Sequence, residues 1–140
     1  MKVLNIVHYF PPHVGGIENF VYRLSKELMK IDKDIEIHIL TTTTGAKKRC
    51  IEFSRLKILR ITPYGYILRS PVTLSLPQAL IKLFDKYRYD ILHLHSEFQI
   101  PSIITSLTNK LLKLTDNVIV TNYGIPYLGK GLVDMMINIS

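Results

Sequence analysis

Apolar residues along this chain follow two rhythms that take turns. Residues 3–7, Val3-Leu4-Asn5-Ile6-Val7, are apolar at nearly every position, which suits a strand covered on both faces of a parallel sheet. Ile17, Phe20, Val21, Leu24, Leu28 and Ile31 then recur at three- and four-residue steps and predict an amphipathic helix. Residues 35–40 predict a second strand, leaving through the threonines 41–44 into Gly45, and residues 56–61 a third, with Ser54 turning into it. Pro63, Gly65 and Pro71 mark a long irregular segment that holds Tyr64 and Tyr66. Pro77 suits the first residue of a helix through Leu80, Ile81, Leu83 and Phe84, ending near Arg88. Residues 90–95 predict a fourth strand. Pro101 opens a helix bearing Ile103, Ile104, Leu107, Leu111 and Leu112, and residues 117–121 predict a fifth strand.

Strands alternating with helices imply right-handed crossovers and an α/β fold: a doubly wound, mostly parallel, Rossmann-like sheet in a single domain. Ligands of such sheets bind outside the carboxyl ends of the strands. The first strand delivers residues 8–16 to that edge, the fourth His93, His95, Ser96 and Glu97, and the fifth Asn122, Tyr123 and Gly124. Topology gathers these segments although the sequence separates them.

Composition narrows the picture further. A length of 140 residues gives one domain with a real core, and 47% apolar with 21% charged residues is ordinary for a globular protein. No run approaches the ~18 apolar residues of a membrane-spanning helix. The strand-like start reaches prolines too soon for a signal peptide, so the cytoplasm is the expected compartment. The lone Cys50 excludes an internal disulfide and a cysteine-based zinc cluster. The net charge of +7 concentrates in Lys47, Lys48, Arg49, Arg55, Lys57 and Arg60. A solvated face is the plainest reading of that cluster, and a surface for anionic lipid or sugar phosphate is the alternative, which admits membrane association. Nucleic acid is not an expected partner, because the basic residues are not interleaved with aromatics.

Gly15-Gly16 lies between an apolar strand and a helix, so backbone N–H groups and the positive helix end face open space where an anion can sit. The spacing is neither the dinucleotide fingerprint nor a P-loop, and a plain tight turn is the competing reading. Glu18, in the first helical turn, is placed to accept N–H groups of the loop or simply to complement the helix dipole. His93 and His95 alternate along a strand and therefore share a face. With His8, His13 and Glu97 they keep a metal-dependent hydrolase open as a reading, although no aspartate accompanies them. Packing under a helix is the simpler role for His93, and His95, at the strand tip, is the better functional candidate. Ser96 lacks a nucleophile elbow and Cys50 lacks a nearby histidine.

The segments HYFPPHVGGIE, DILHLHSE and VIVTNYGIP together resemble retaining glycosyltransferases of the GT-B fold, family 4 type. The resemblance covers nearly the whole chain, in order. It implies two Rossmann-like domains facing across a cleft, of which residues 1–140 correspond to the N-terminal, acceptor-side one, with the C-terminal donor-binding domain absent. The implied activity is transfer of a sugar from a nucleotide-sugar to an acceptor (a sugar, lipid or small molecule) with retention, and inactivity of this half alone. Gly15 and Gly16 match glycines that approach the donor diphosphate and the transferred sugar, and His95 matches the histidine that lies against that sugar. Tyr123-Gly124 falls where the family often has His-Gly. His13, Glu18, Tyr123 and Gly124 are the supporting candidates. No cofactor and no metal are implied, the nucleotide-sugar being a substrate, and the second domain is expected in cis or in trans. A non-catalytic sugar- or anion-binding module is the alternative. The apolar residues of 135–140 are expected to dock on a neighbouring molecule or to pack loosely.

Overall fold

Parallel pairing of the apolar runs builds the molecule. The computed structural model describes residues 1–44 and 48–124, so the expectation for residues 135–140 lies outside the described residues. Strand β1 (Lys2–Ile6) leads through the glycine loop into α1 (Gly16–Ile31), followed by β2 (Glu36–Thr42), β3 (Cys50–Phe53) and β4 (Leu56–Ile61). A hairpin of β5 (Gly65–Ile67) and β6 (Ser70–Val72) precedes α2 (Leu76–Tyr87), β7 (Ile91–His95), α3 (Ile100–Leu112) and β8 (Val118–Thr121). The six-stranded sheet has the order β3-β4-β2-β1-β7-β8, parallel throughout except for the antiparallel edge strand β3. The fold is a doubly wound α/β sheet, as the alternation predicts.

Strand β3 and the two strands of a hairpin escape the hydrophobic pattern. Strand β3 is exposed along its length and turns into β4 at Ser54, whose φ is 55°. The segment expected to be irregular holds the β5–β6 hairpin, in which Tyr66 pairs with Pro71. Neither element buries an apolar face in the main sheet, so neither leaves a strong periodic signal.

The sheet separates two cores. On one face Val3, Val7, Ile37, Ile39, Leu56 and Ile58 pack with Phe10 of the loop after β1 and Val21 of α1. On the other, Leu4, Ile6, Leu40, Leu92 and Leu94 pack with Leu76, Leu80 and Phe84 of α2. Helix α1 buries Glu18, Val21 and Ser25, whereas Phe20 and Ile31 of its apolar stripe are 46% and 82% exposed. Both crossover helices on the second face carry proline in the first turn and close on a left-handed residue, Arg88 for α2 and Lys113 for α3. Among the described residues no helix is long and apolar enough to cross a membrane.

Candidate functional site at the strand ends

Strand order reverses between β1 and β7: from β1 the chain steps to β2 on one side, and it returns to β7 on the other. A crevice opens outside the strand ends at such a switch point. The loop after β1 and the last residue of β7 meet there.

The loop is held from below. Phe10 is buried in the first core, and its carbonyl accepts the N–H of His13 at 3.2 Å. Thr42 Oγ1 donates to the carbonyl of His8 at 2.8 Å. Arg60 Nη2 donates to the carbonyl of Pro11 at 2.5 Å, while its Nε and Nη1 are buried without a partner among the described residues. Burial lowers the pKa of this guanidinium. It still remains charged, because arginine's reference value is so high. A cation with no carboxylate partner among the described residues therefore lies beneath the loop.

Above it, His13 stacks on Tyr9, with ring centroids 4.2 Å apart, and its Nδ1–H donates to Glu18 Oε1 at 2.8 Å. Glu18 is 3% exposed, and among the described residues its carboxylate bonds the His13 ring rather than a loop N–H. The carboxylate is folded against Gly15, where an added Cβ would collide with it. The backbone at Gly15, φ −167°, is open to any residue, so a side chain there would act by displacing the Glu18 carboxylate. At Gly16 an added Cβ would meet nothing within 4 Å. The sequence reading thus placed the glycine turn correctly but not the partner of Glu18, whose reach back to His13 depends on how the loop folds.

His95 ends β7 beside β1 and is fully buried. Its Nε2–H donates to Asn5 Oδ1 at 2.8 Å, and Tyr123 O–H donates to its Nδ1 at 2.8 Å. Burial, reinforced by neighbouring His93, pushes its pKa down to about 3, so the ring is neutral and held in one tautomer. Tyr123, its own pKa pushed up to about 12 by burial, covers the histidine and meets Phe20 of α1 edge-on at 5.5 Å. The ring of His95 therefore lies under Tyr123, at the crevice floor. His93 bonds Thr121 Oγ1 at 2.7 Å, and burial lowers its pKa as well. Gly124 has φ 107°, where glycine is favoured, and its N–H donates to Asn122 Oδ1 at 3.1 Å. Among the described residues no group of three or more His, Cys, Asp and Glu side chains is arranged to hold a metal ion.

Asn5 escaped the sequence reading as a site residue, and Arg60, counted there within a solvated basic cluster, is instead buried. Both left a signal. Asn5 interrupts a run of apolar strand residues, and Arg60 keeps the alternation of Leu56 and Ile58, which points it inward.

Comparison with known proteins agrees with this architecture. A family model described as Glycosyltransferase Family 4 matches residues 14–130. Among solved structures, "Sucrose-phosphate synthase (tll1590) from Thermosynechococcus elongatus" superposes with a TM-score of 0.63 at 18% sequence identity. That match covers 96% of this chain and 35% of the synthase chain, so this chain spans about a third of its neighbour's length. A search of curated proteins gave no match.

Proposed function

Since this chain belongs to Glycosyltransferase Family 4, we infer that it is the acceptor-side half of an enzyme that moves a sugar from a nucleotide-sugar to an acceptor with retention. The observation that supports this reading is that the glycine turn and His95 lie at the carboxyl ends of the neighbouring strands β1 and β7, at the switch point. When the bond to the donor diphosphate breaks, negative charge builds on the departing group. The first turn of α1 offers unpaired backbone N–H groups there, and Arg60 adds a fixed positive charge below the loop. Gly16 leaves room for close approach.

The neutral His95 is a hydrogen-bonding group and not a proton carrier at neutral pH. Movement of Tyr123 would free its Nδ1 to accept a hydroxyl of the transferred sugar, while Asn5 holds the other side of the ring. His13 and Glu18 fix the loop, and Gly124 lets the chain turn beneath Tyr123. The nucleotide-sugar serves as substrate, and neither cofactor nor metal enters this scheme. The donor-binding domain is contributed in cis or in trans, and a closed, water-poor cleft forms between the two. The chain works in the cytoplasm.

The experiment is a transfer and donor-hydrolysis assay of residues 1–140 with and without a candidate donor-binding domain. Turnover is expected to be negligible alone and to appear with the second domain, and Gly16→Val is expected to abolish it with the fold intact. Robust turnover by the chain alone would overturn the half-enzyme reading, and full activity of Gly16→Val would overturn the role of the turn. A metal-dependent hydrolase gains nothing from the geometry, since both His95 nitrogens and His13 Nδ1 are engaged in hydrogen bonds. Stoichiometric zinc or manganese in the purified protein would reverse that judgement.

A further inference from the structure

The β5–β6 hairpin stands outside the main sheet, and its tip is unusual. Both turn residues, Leu68 and Arg69, have left-handed φ values of 46° and 64°. Two-residue hairpin turns of this backbone ordinarily use asparagine and glycine, because a side chain there is strained. Here the strained position carries a leucine that is 92% exposed. Ile67 beside it is 58% exposed, and Tyr64 and Tyr66 below are 83% and 52% exposed.

This is no fraying loop. Tyr9 O–H donates to the carbonyl of Arg69 at 2.6 Å, tying the tip to the loop after β1. Tyr66 and Thr44 share a hydrogen bond at 2.7 Å, tying it to the end of β2. The N–H of Ile100, at the start of α3, donates to Ser70 Oγ at 2.8 Å. Three anchors hold an apolar tip out into water on the strand-end side of the sheet. Folding gains nothing from that arrangement.

Charge decides what covers it. Arg69 sits at the tip, Lys48 and Arg49 follow Thr44 closely in the chain, and all three are exposed. Residues 43–51 and 62–75 contain no aspartate or glutamate. A second copy of the chain would bring like charges together, with no carboxylate in either segment to relieve them. Aliphatic tip, tyrosine collar, the cation at the tip and Arg49, whose carbonyl accepts the N–H of Arg60 at the carboxyl end of β4, match the layers of an anionic bilayer surface: acyl boundary, interface and headgroups.

We propose that the β5–β6 hairpin docks the protein on membranes bearing anionic lipid, with Ile67 and Leu68 entering the interface, Tyr64 and Tyr66 at headgroup depth, and Arg69, Lys48 and Arg49 on the phosphates. The docking itself stands on the hairpin. Its consequence, that the strand-end crevice opens beside the bilayer toward a lipid-borne acceptor, rests on the transferase reading above.

The chain contains no tryptophan, so Leu68→Trp supplies a single reporter. With the full 140-residue chain and vesicles of phosphatidylcholine with roughly a third phosphatidylglycerol, its emission is expected to shift to the blue and to be quenched by brominated acyl chains. Pure phosphatidylcholine is expected to give little of either. In sedimentation with the same vesicles, Leu68→Glu should lower partitioning by about tenfold or more. Leu68→Gly, which removes the apolar group and relieves the strained φ, should also lower it, with thermal melting showing both variants folded. Leu111→Glu, on the exposed side of α3, should bind as the unaltered chain does. Absence of a shift, equal binding by Leu68→Glu, or loss through Leu111→Glu instead would overturn the proposal. So would self-association in vesicle-free solution that Leu68→Glu abolishes, since the hairpin would then be a protein interface. Donor and acceptor are absent from these assays, so a failed transferase reading would leave their outcome untouched.

Discussion

Helices α2 and α3 lie on the same face of the sheet and begin alike, Leu76-Pro77 and Ile100-Pro101, yet they are turned in opposite senses. Helix α2 buries Leu76, Leu80 and Phe84 over the central strands. Helix α3 buries Pro101, Ser102, Thr105 and Thr108, and leaves Ile103, Leu107, Leu111 and Leu112 between 45% and 80% exposed. Strand β8 beneath it is open as well: Val118, Ile119 and Val120 are 40–47% exposed. An open groove of about 280 Å³ runs between them, lined by Leu94, Ile103, Leu107 and Val120 among others. The difference teaches that an apolar stripe reports what a helix can bury, while its orientation is set by the neighbours that are present. Small polar residues let α3 approach the sheet closely, and its apolar side faces outward beyond the last described strand.

The largest test of this contrast is truncation on each helix. Leu80→Ala should cost about 2–5 kcal/mol in urea unfolding, as expected for a fully buried leucine, whereas Leu107→Ala should cost less than ~1 kcal/mol. Equal losses would show that the outer side of α3 is covered in solution.

Next comes acid sensitivity, to which the face under α2 contributes alongside the buried histidines at the strand ends, His8, His93 and His95, whereas the inward residues of α3 contribute none. His38 is fully buried there: its Nε2–H donates to Glu36 Oε1 at 2.7 Å, and Tyr89 O–H donates to its Nδ1 at 2.5 Å. Burial lowers its pKa, with Glu36 opposing. The unfolded chain then binds the extra proton below about pH 6.5, so this stability is complete above that pH and is lost as pH falls toward the folded value. His38→Gln should make the loss with falling pH shallower by up to about 1.4 kcal/mol per pH unit, read from urea unfolding at stepped pH. The inward residues Ser102, Thr105 and Thr108 of α3 do not titrate, so variants there should leave that slope unchanged.

A smaller effect sharpens the comparison from the α3 side. Thr105 is fully buried, and its hydroxyl has no partner among the described residues. Thr105→Val keeps the shape and removes the orphan, and should stabilise by up to about 1 kcal/mol. Destabilisation in a thermal melt would reveal a bond to that hydroxyl. Smallest of all, Leu111→Glu at an 80% exposed position should change stability by less than about 0.5 kcal/mol while raising solubility.

The candidate site was partly legible. Gly15, Gly16 and His95 announced themselves by position, because a loop after a buried strand and a histidine at a strand tip must reach the same edge of a parallel sheet. Their partners did not. Asn5 and Arg60 come to the site from other segments, and no local pattern links position 5 to 95 or 11 to 60; Tyr123 was expected at this edge, but not its bond to His95.

By itself the sequence determined the order of the five parallel strands and their helices and the edge at which the site forms, since strand and helix periodicities and proline or glycine punctuation are local properties of the chain. Tertiary structure alone decided that α3 turns its leucines outward, that Leu68 stands clear of the core and that His95 stays neutral beneath Tyr123. Each of those outcomes depends on which distant groups share a surface: burial and hydrogen-bond partners set a side chain's exposure and proton affinity, and both are assembled only when the sheet closes.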